Sequence, residues 1–535
     1  MASIGEVGAN NASKMIRGEM DKVPLCIYFG VFFDGTGNNM VSKEEAENRR
    51  NSFVKSLDKS EKKYISEDWD LYLNKELENE ANKLVDKEIK KQKIMDLPKE
   101  EYIGTGRSNI AILHTCYQGL SQAVRNSYTK VYNLYIEGAG KEAVNDDSMV
   151  QNAKNLIGSG FGNGDTGVVA LVSKAVRMVR LVLDGFSGSL NDSSVKKEIH
   201  FDVFGFSRGA ACARLFSYIA GRGKNSPLKC EKKFEKFQAK YHYSENYLHF
   251  LDKYENLIHD VPFLGIYDTV SSIGITYNNN VENYGIFSPS EKWVKQTFHL
   301  CAMDEYRSHF ALTDIDVEKE GNIEAFIPGC HSDVGGGYQY GSDSFLLNYC
   351  ESLTSKYKIY TRNPESKFGK KDCISCDCLK MLGWGNDDEL NDHYMRGFIT
   401  CDRKRVLAGY SNIPLRIMQE KANGEEKGKR KIFANFPEGR YSVPISLEYI
   451  YELIKNEIKS VNCGRRWIYP GGSYCSEQYK ILRHDYLHFS ASDEIMSGKT
   501  AFVNSPNRKD STICRIVYRG SKGSAPSPLY MYDYK

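Results

Sequence analysis

Fifteen consecutive residues, His200-Phe-Asp-Val-Phe-Gly-Phe-Ser-Arg-Gly-Ala-Ala-Cys-Ala-Arg214, leave this chain few folds to choose from. An apolar, aromatic run reads as a buried strand over Ile199–Phe204, and the Ala-rich stretch Arg208–Ile219 reads as a helix. Ser207 stands between them, inside the pattern G-x-S-x-G. Both flanking glycines make sense if the chain reverses so tightly that a Cβ at either position would collide with neighbouring backbone. A serine on such a turn is presented at the carboxyl end of a sheet, and its alternative role is simply to cap the helix that follows.

The same strand-then-loop pattern recurs along the chain. Val23–Phe33 is a candidate buried strand running into the loop Asp34-Gly-Thr-Gly-Asn-Asn39, and Lys130–Ile136 runs into Glu137-Gly-Ala-Gly140. Val261–Tyr267 ends in Asp268-Thr-Val, and Ala325–Pro328 ends in Gly329-Cys-His331-Ser-Asp. Candidate helices over Ser108–Gln122 and Val168–Leu183 lie between strands. Strands alternating with helices over some 300 residues predict an α/β fold, a mostly parallel sheet with helices on both faces. Residues 1–340 would form this core, interrupted at about 41–103 by a Lys- and Glu-rich helical insertion. Residues 341–535 form a less regular C-terminal region expected to pack on or complete the core, with membrane or partner contact as a further role.

A serine nucleophile needs a base, and the base an orienting carboxylate. In this architecture the order along the chain is serine, acid, histidine. Asp268 and His331 each follow an apolar strand, so both are expected on the same rim of the sheet as Ser207. The pattern alone leaves Asp268 open to an ordinary turn role, Asp333 open to a supporting role, and His484 and His488 as rival bases. The backbone N–H of Arg208, at a helix N-terminus, would face a developing oxyanion, with a second N–H from Gly35 or Thr36. A phosphatase-type D-x-D-G-T reading of that loop fails, because its nucleophile would fall at Phe32.

Five motifs occur in order: Phe33-Asp-Gly-Thr-Gly-Asn-Asn39, Tyr135-Ile-Glu-Gly138, Gly205-Phe-Ser-Arg-Gly-Ala210, Tyr267-Asp-Thr-Val270 and Pro328-Gly-Cys-His-Ser-Asp-Val-Gly-Gly-Gly-Tyr338. Together they resemble the α/β-hydrolase family that includes the type VI secretion phospholipase effectors, over roughly residues 25–340. The resemblance implies an α/β-hydrolase-like fold with Ser207 as nucleophile, Asp268 as triad acid and His331 as base. It also implies hydrolysis of membrane glycerophospholipids, antibacterial toxicity, a secretion-spike or carrier partner and a cognate immunity protein. Other readings are a soluble carboxylesterase and a hydrolase-fold binding module without activity.

Composition excludes other classes. Lys plus Arg is 72 against 69 Asp plus Glu, too small an excess for a nucleic-acid binder. No apolar stretch is long enough to span a bilayer, and the N-terminus has no secretory h-region. The expectation is synthesis in the cytoplasm without a signal peptide, and the family resemblance implies delivery to the periplasm or membrane surface of a target cell. The chemistry requires no cofactor and no metal. Cys373, Cys376 and Cys378 are the one cysteine cluster, but it lacks the second half of a zinc site. The helix at 168–183 has a wide apolar face with a basic rim, which fits either a helix packed on the sheet or one lying at a lipid interface.

Overall fold

The computed structural model describes residues 3–6, 25–36, 108–120, 129–139, 167–185, 197–220, 254, 257–271, 292–307, 310–337, 357–362, 376–393, 398–403, 406–407, 409–424, 431–436, 441–461, 466–469, 476–490, 515 and 517–518. The charged segment 41–103, Cys373 and the Gly-rich loop up to residue 166 lie outside the described residues.

In chain order the first half contains β1 (Ser3–Glu6), β2 (Leu25–Phe33), α1 (Asn109–Cys116), β3 (Thr129–Ile136), α2 (Val168–Gly185), β4 (Lys197–Phe206), α3 (Arg208–Ala220) and β5 (Ile258–Tyr267). There follow β6 (Thr297–Ala302), β7 (Leu312–Thr313), β8 (Asn322–Ile327) and the short α4 (His331–Gly335). The last third holds β9 (Tyr357–Arg362), α5 (Cys376–Leu382), β10 (Leu390–His393), β11 (Phe398–Arg403), α6 (Asn412–Asn423), α7 (Glu448–Ser460), β12 (Arg466–Ile468), α8 (Glu477–Tyr486) and β13 (Val517–Tyr518).

Eight strands form the central sheet in the order β1-β3-β2-β4-β5-β6-β8-β12. All neighbours run parallel except β1, which pairs antiparallel with β3 at one edge. The strand after β2 lies on one side of it and β4 lies on the other. The order therefore reverses between β2 and β4, and a crevice opens outside their carboxyl ends, where α/β sheets bind ligands. Ser207 and the Asp34 loop both begin there, with Phe33 and Gly205 in register.

Alternation along the strands builds two cores. On one face Ile27, Phe29, Val31, Ile199, Phe201, Val203, Leu264 and Ile266 pack with α2 and α3. On the other, Phe32, Phe204, Phe263 and Tyr267 pack with α1, α6 and α8. Helices thus cover both faces. The apolar side of α2, from Val168 through Val172, Ala175, Val179 and Leu183, is buried in the first core, and Lys174 pairs with Glu137 at 2.9 Å. This helix packs on the sheet; its apolar face is not offered to a lipid interface.

The structure departs from the pattern reading in several places. The helix expected to reach residue 122 stops at Cys116, because Tyr117 bridges to Phe433 and its hydroxyl donates to Asp202 (2.9 Å). Strands β1, β6 and β12 carried no pattern that singled them out. The last of these, from the C-terminal third, pairs with β8 and extends the central sheet. No helix among the described residues is long and apolar enough to cross a membrane.

Candidate active site

Ser207 follows β4 with φ 61°, a left-handed conformation costly for a non-glycine residue. Close packing explains both glycines of the turn. A Cβ on Gly205 would sit 2.4 Å from the Gly209 carbonyl oxygen, and one on Gly209 would sit 2.3 Å from the carbonyl oxygens of both Phe33 and Asp34. Helix α3 can start this close to β4 only if Gly205 lacks a side chain, and this close to the end of β2 only if Gly209 does.

The turn is tied by backbone to the end of β5. The Ser207 N–H donates to the Tyr267 carbonyl (3.1 Å), and the Ser207 carbonyl accepts from the Val270 N–H (3.3 Å). Between those two partners lies Asp268, with φ 45°. Ser207 and Asp268 are the only non-glycine residues with positive φ among the described residues. Two left-handed residues on adjacent strand ends mark a strained rim, the kind of strain that concentrates at functional sites.

His331 opens α4, beyond the end of β8. Its Nδ1 lies 2.5 Å from Asp268 Oδ2. The ring is buried, packed against Phe206 (centroids 4.5 Å apart) and Phe310 (5.0 Å). The His331 N–H donates to Glu305 Oε2 (3.2 Å), and that carboxylate is gripped by the Arg307 guanidinium at 2.9 Å. Burial lowers the His331 pKa below its ordinary value, and the adjacent Asp268 only partly opposes this. Burial therefore favours the neutral imidazole over the imidazolium.

A residue far along the chain completes the cluster. Arg515 places Nη1 2.5 Å from Asp268 Oδ1 and Nη2 2.8 Å from Oδ2, and donates also to the carbonyls of Ala302 (2.6 Å) and Phe310 (3.1 Å). Burial alone would raise the Asp268 pKa, but Arg515 and His331 together hold it well below the usual carboxylate range. Asp268 stays ionised with both oxygens occupied. Sequence reasoning passed over Arg515, which carries no local motif signal; its only mark is an arginine ahead of the apolar Ile516-Val517-Tyr518.

The rival histidines are engaged elsewhere. His488 Nδ1 is 2.7 Å from Asp333 Oδ1, and its N–H donates to Asp333 Oδ2, which also caps the Cys330 N–H. His484 contacts Asp485 (2.7 Å) and Glu389 (3.0 Å). In the Asp34 loop, the Gly35 N–H donates to Asp34 Oδ1 (2.6 Å), and the Thr36 hydroxyl accepts from Arg208 Nη1 (3.1 Å). The other Asp34 oxygen accepts from the Tyr135 hydroxyl (2.5 Å).

Comparison with known proteins places the chain in a family. A family model described as "T6SS, Phospholipase effector Tle1-like, catalytic domain" matches residues 29–354. Among solved structures, the chain is similar to a Tle1 effector bound to the VgrG spike of the type 6 secretion system, at 19% identity and TM-score 0.48, over 91% of this chain and 90% of that one. It is also similar to an uncharacterized protein from Pseudomonas aeruginosa, at 15% identity and TM-score 0.35, over 82% of this chain and 51% of that one. No curated protein sequence matches. The family match covers more than half of the chain and includes Ser207, Asp268 and His331, so this chain belongs to the Tle1-like phospholipase effectors of type VI secretion.

Proposed function

We propose that this chain is a serine hydrolase that cleaves acyl esters of glycerophospholipids, using Ser207 as nucleophile, His331 as general base and Asp268 as the carboxylate that orients it. The observation that carries the reading is the backbone tie between the Ser207 turn and the Asp268 segment, with Asp268 in turn bonded to the His331 ring. With its Nδ1–H held by Asp268, His331 has Nε2 available to take the Ser207 proton as Oγ attacks the ester carbonyl. Nε2 then returns that proton to the leaving alcohol. Water, deprotonated by the same nitrogen, attacks the acyl-enzyme and releases the fatty acid. The Arg208 N–H at the start of α3 would stabilise the oxyanion, with the loop containing Gly35 and Thr36 supplying the second donor. The Gly35 N–H is engaged by Asp34 in this conformation, so we favour Thr36 as the second donor.

Family membership supports export by a contractile secretion machine. We extend the reading to an antibacterial effector carried by a spike or carrier protein, neutralised in the producing cell by a cognate immunity protein, and acting on target-cell membrane lipid. Labelling with a serine-directed fluorophosphonate tests the chemistry. Wild type should be modified at Ser207 and Ser207→Ala should not. A folded wild type that never labels would instead make the chain a binding module on a hydrolase fold, and labelling with turnover of short acyl esters but not phospholipid would make it a soluble esterase.

A further inference from the structure

At the end of the sheet opposite Ser207, three side chains of metal-binding type meet where β2 and β4 begin. Cys26 and Glu198 are register partners on these parallel strands, and His200 lies two residues further along β4, so alternation puts all three on one face. The Cys26 sulfur, a Glu198 oxygen and a His200 ring nitrogen all lie within 4.8 Å of one another. His200 Nε2 is 3.6 Å from Glu198 Oε2. Donors bound tetrahedrally at ~2.0–2.3 Å from one zinc ion are ~3.3–3.7 Å apart, so this pair is already at bonding separation and small side-chain rotations would bring in the thiol.

The surroundings fit the same purpose. His200 Nδ1 is 2.6 Å from Asp260 Oδ1 on β5, the carboxylate–histidine arrangement that fixes a metal-ligating imidazole with its other nitrogen turned to the ion. Tyr28 stacks on the imidazole at 4.6 Å between centroids, fixing the ring plane. Cys26 and Glu198 are half-buried and His200 is buried, and water would serve as the fourth ligand.

A second cluster, His299, Cys301 and Glu324, offers the same donor types within the same distance but contrasts in every other respect. It is wholly buried, His299 Nδ1 and Nε2 are taken by Glu324 (2.9 Å) and the Thr269 N–H (3.1 Å), and Glu324 is held by Arg466 (2.6 Å). That cluster is a satisfied polar network.

We propose that Cys26, Glu198 and His200 form a zinc site, with Asp260 as the residue that orients His200, stapling the starts of the two central strands. Thiolate, imidazole and carboxylate together suit zinc better than magnesium or calcium. Ser207 lies seven positions beyond His200, roughly 23 Å at about 3.3 Å per residue, so the site acts on the scaffold and not on the ester chemistry.

The test uses full-length protein freed of any histidine tag and dialysed against metal-free buffer, then titrated with Zn2+ alone and with Co2+ as a spectroscopic probe. The proposal expects about one Zn2+ per chain, a melting temperature that rises on adding zinc, and thiolate-to-cobalt charge-transfer absorption. Cys26→Ser should abolish that absorption. Asp260→Asn should weaken zinc binding by about 10–100-fold. Cys376→Ser, in α5, should change none of these, and phospholipid hydrolysis should be the same for Cys26→Ser as for wild type. Absence of zinc binding, or charge transfer that survives Cys26→Ser, would overturn the site and leave His200 as a histidine bridging two carboxylates. Neither result bears on Ser207 labelling, so this inference can fail without the hydrolase reading failing.

Discussion

Arg515 clamps Asp268 with two parallel hydrogen bonds, 2.5 and 2.8 Å long, between side chains fully withdrawn from water. The partners are 247 residues apart, and the arginine comes from beside β13, which pairs with β7. The C-terminal end of the described chain thus reaches the rim that carries Ser207 and Asp268. Removing one partner of a buried pair strands the other charge, at a cost of about 3–5 kcal/mol. Arg515→Met should lower stability to denaturant by about that much, and Arg515→Lys should recover only part of it, since an ammonium cannot reproduce the planar fork.

The same pair sets a pH dependence. His331 has a lowered pKa, so kcat/KM should rise with pH through a value below about 6.5 and be level at neutral pH. Taking away the Arg515 cation leaves the Asp268 charge uncompensated beside the ring, which favours imidazolium. The acid limb of Arg515→Met should therefore move to higher pH. Displacement to lower pH, or none, would mean that Arg515 does not act through the Asp268–His331 pair.

Asp268 makes a second pH-dependent contribution. Its folded-state pKa is depressed, so the stability it adds is fully present above the unfolded carboxylate value of about 3.9 and is lost as pH falls through the lower folded value. Asp268→Asn should flatten that part of an acid-unfolding curve. It should also reduce kcat by about 10⁴-fold, because the amide no longer holds the required tautomer.

Gly209 offers a steric test. An added methyl group would meet two backbone oxygens at 2.3 Å, and backbone cannot swing aside as a long side chain can. Gly209→Ala should cost about 1–3 kcal/mol and displace either Ser207 or the Asp34 loop, with hydrolysis falling along with melting temperature.

Asp304 anchors the C-terminal third to the loop that carries His331. Its carboxylate accepts from the Arg483 Nε (2.9 Å), the Tyr479 and Tyr306 hydroxyls (2.7 and 2.9 Å) and the Gly329 N–H (2.8 Å). Arg483→Met leaves that carboxylate buried and short of its cation. Loss of about 3–5 kcal/mol of stability is expected, measured by urea unfolding, together with reduced kcat.

How much of this was legible in the sequence depends on how local each signal was. The Ser207 turn was readable because strand, glycines and helix are contiguous, and the structure places their boundaries within a few residues of the pattern. Asp268 and His331 were readable as residues that follow apolar strands. Strand β6 escaped notice because Thr297-Phe-His-Leu-Cys-Ala302 is buried throughout and alternates with nothing, and its His299 is fixed by Glu324 from β8 and Thr269 beyond β5. Arg515 was invisible for a different reason: its role exists only once β13 has paired with β7. The Cys26, Glu198 and His200 cluster was similarly hidden, since parallel register and not sequence spacing brings Cys26 to the other two.

Fatty acid release from phospholipid in mixed micelles, compared between wild type and Ser207→Ala, tests whether hydrolysis depends on Ser207. Wild type should release fatty acid steadily, and a mutant whose circular dichroism and melting match it should release none. Equal release by both proteins, or none by a folded wild type, would contradict Ser207-dependent hydrolysis.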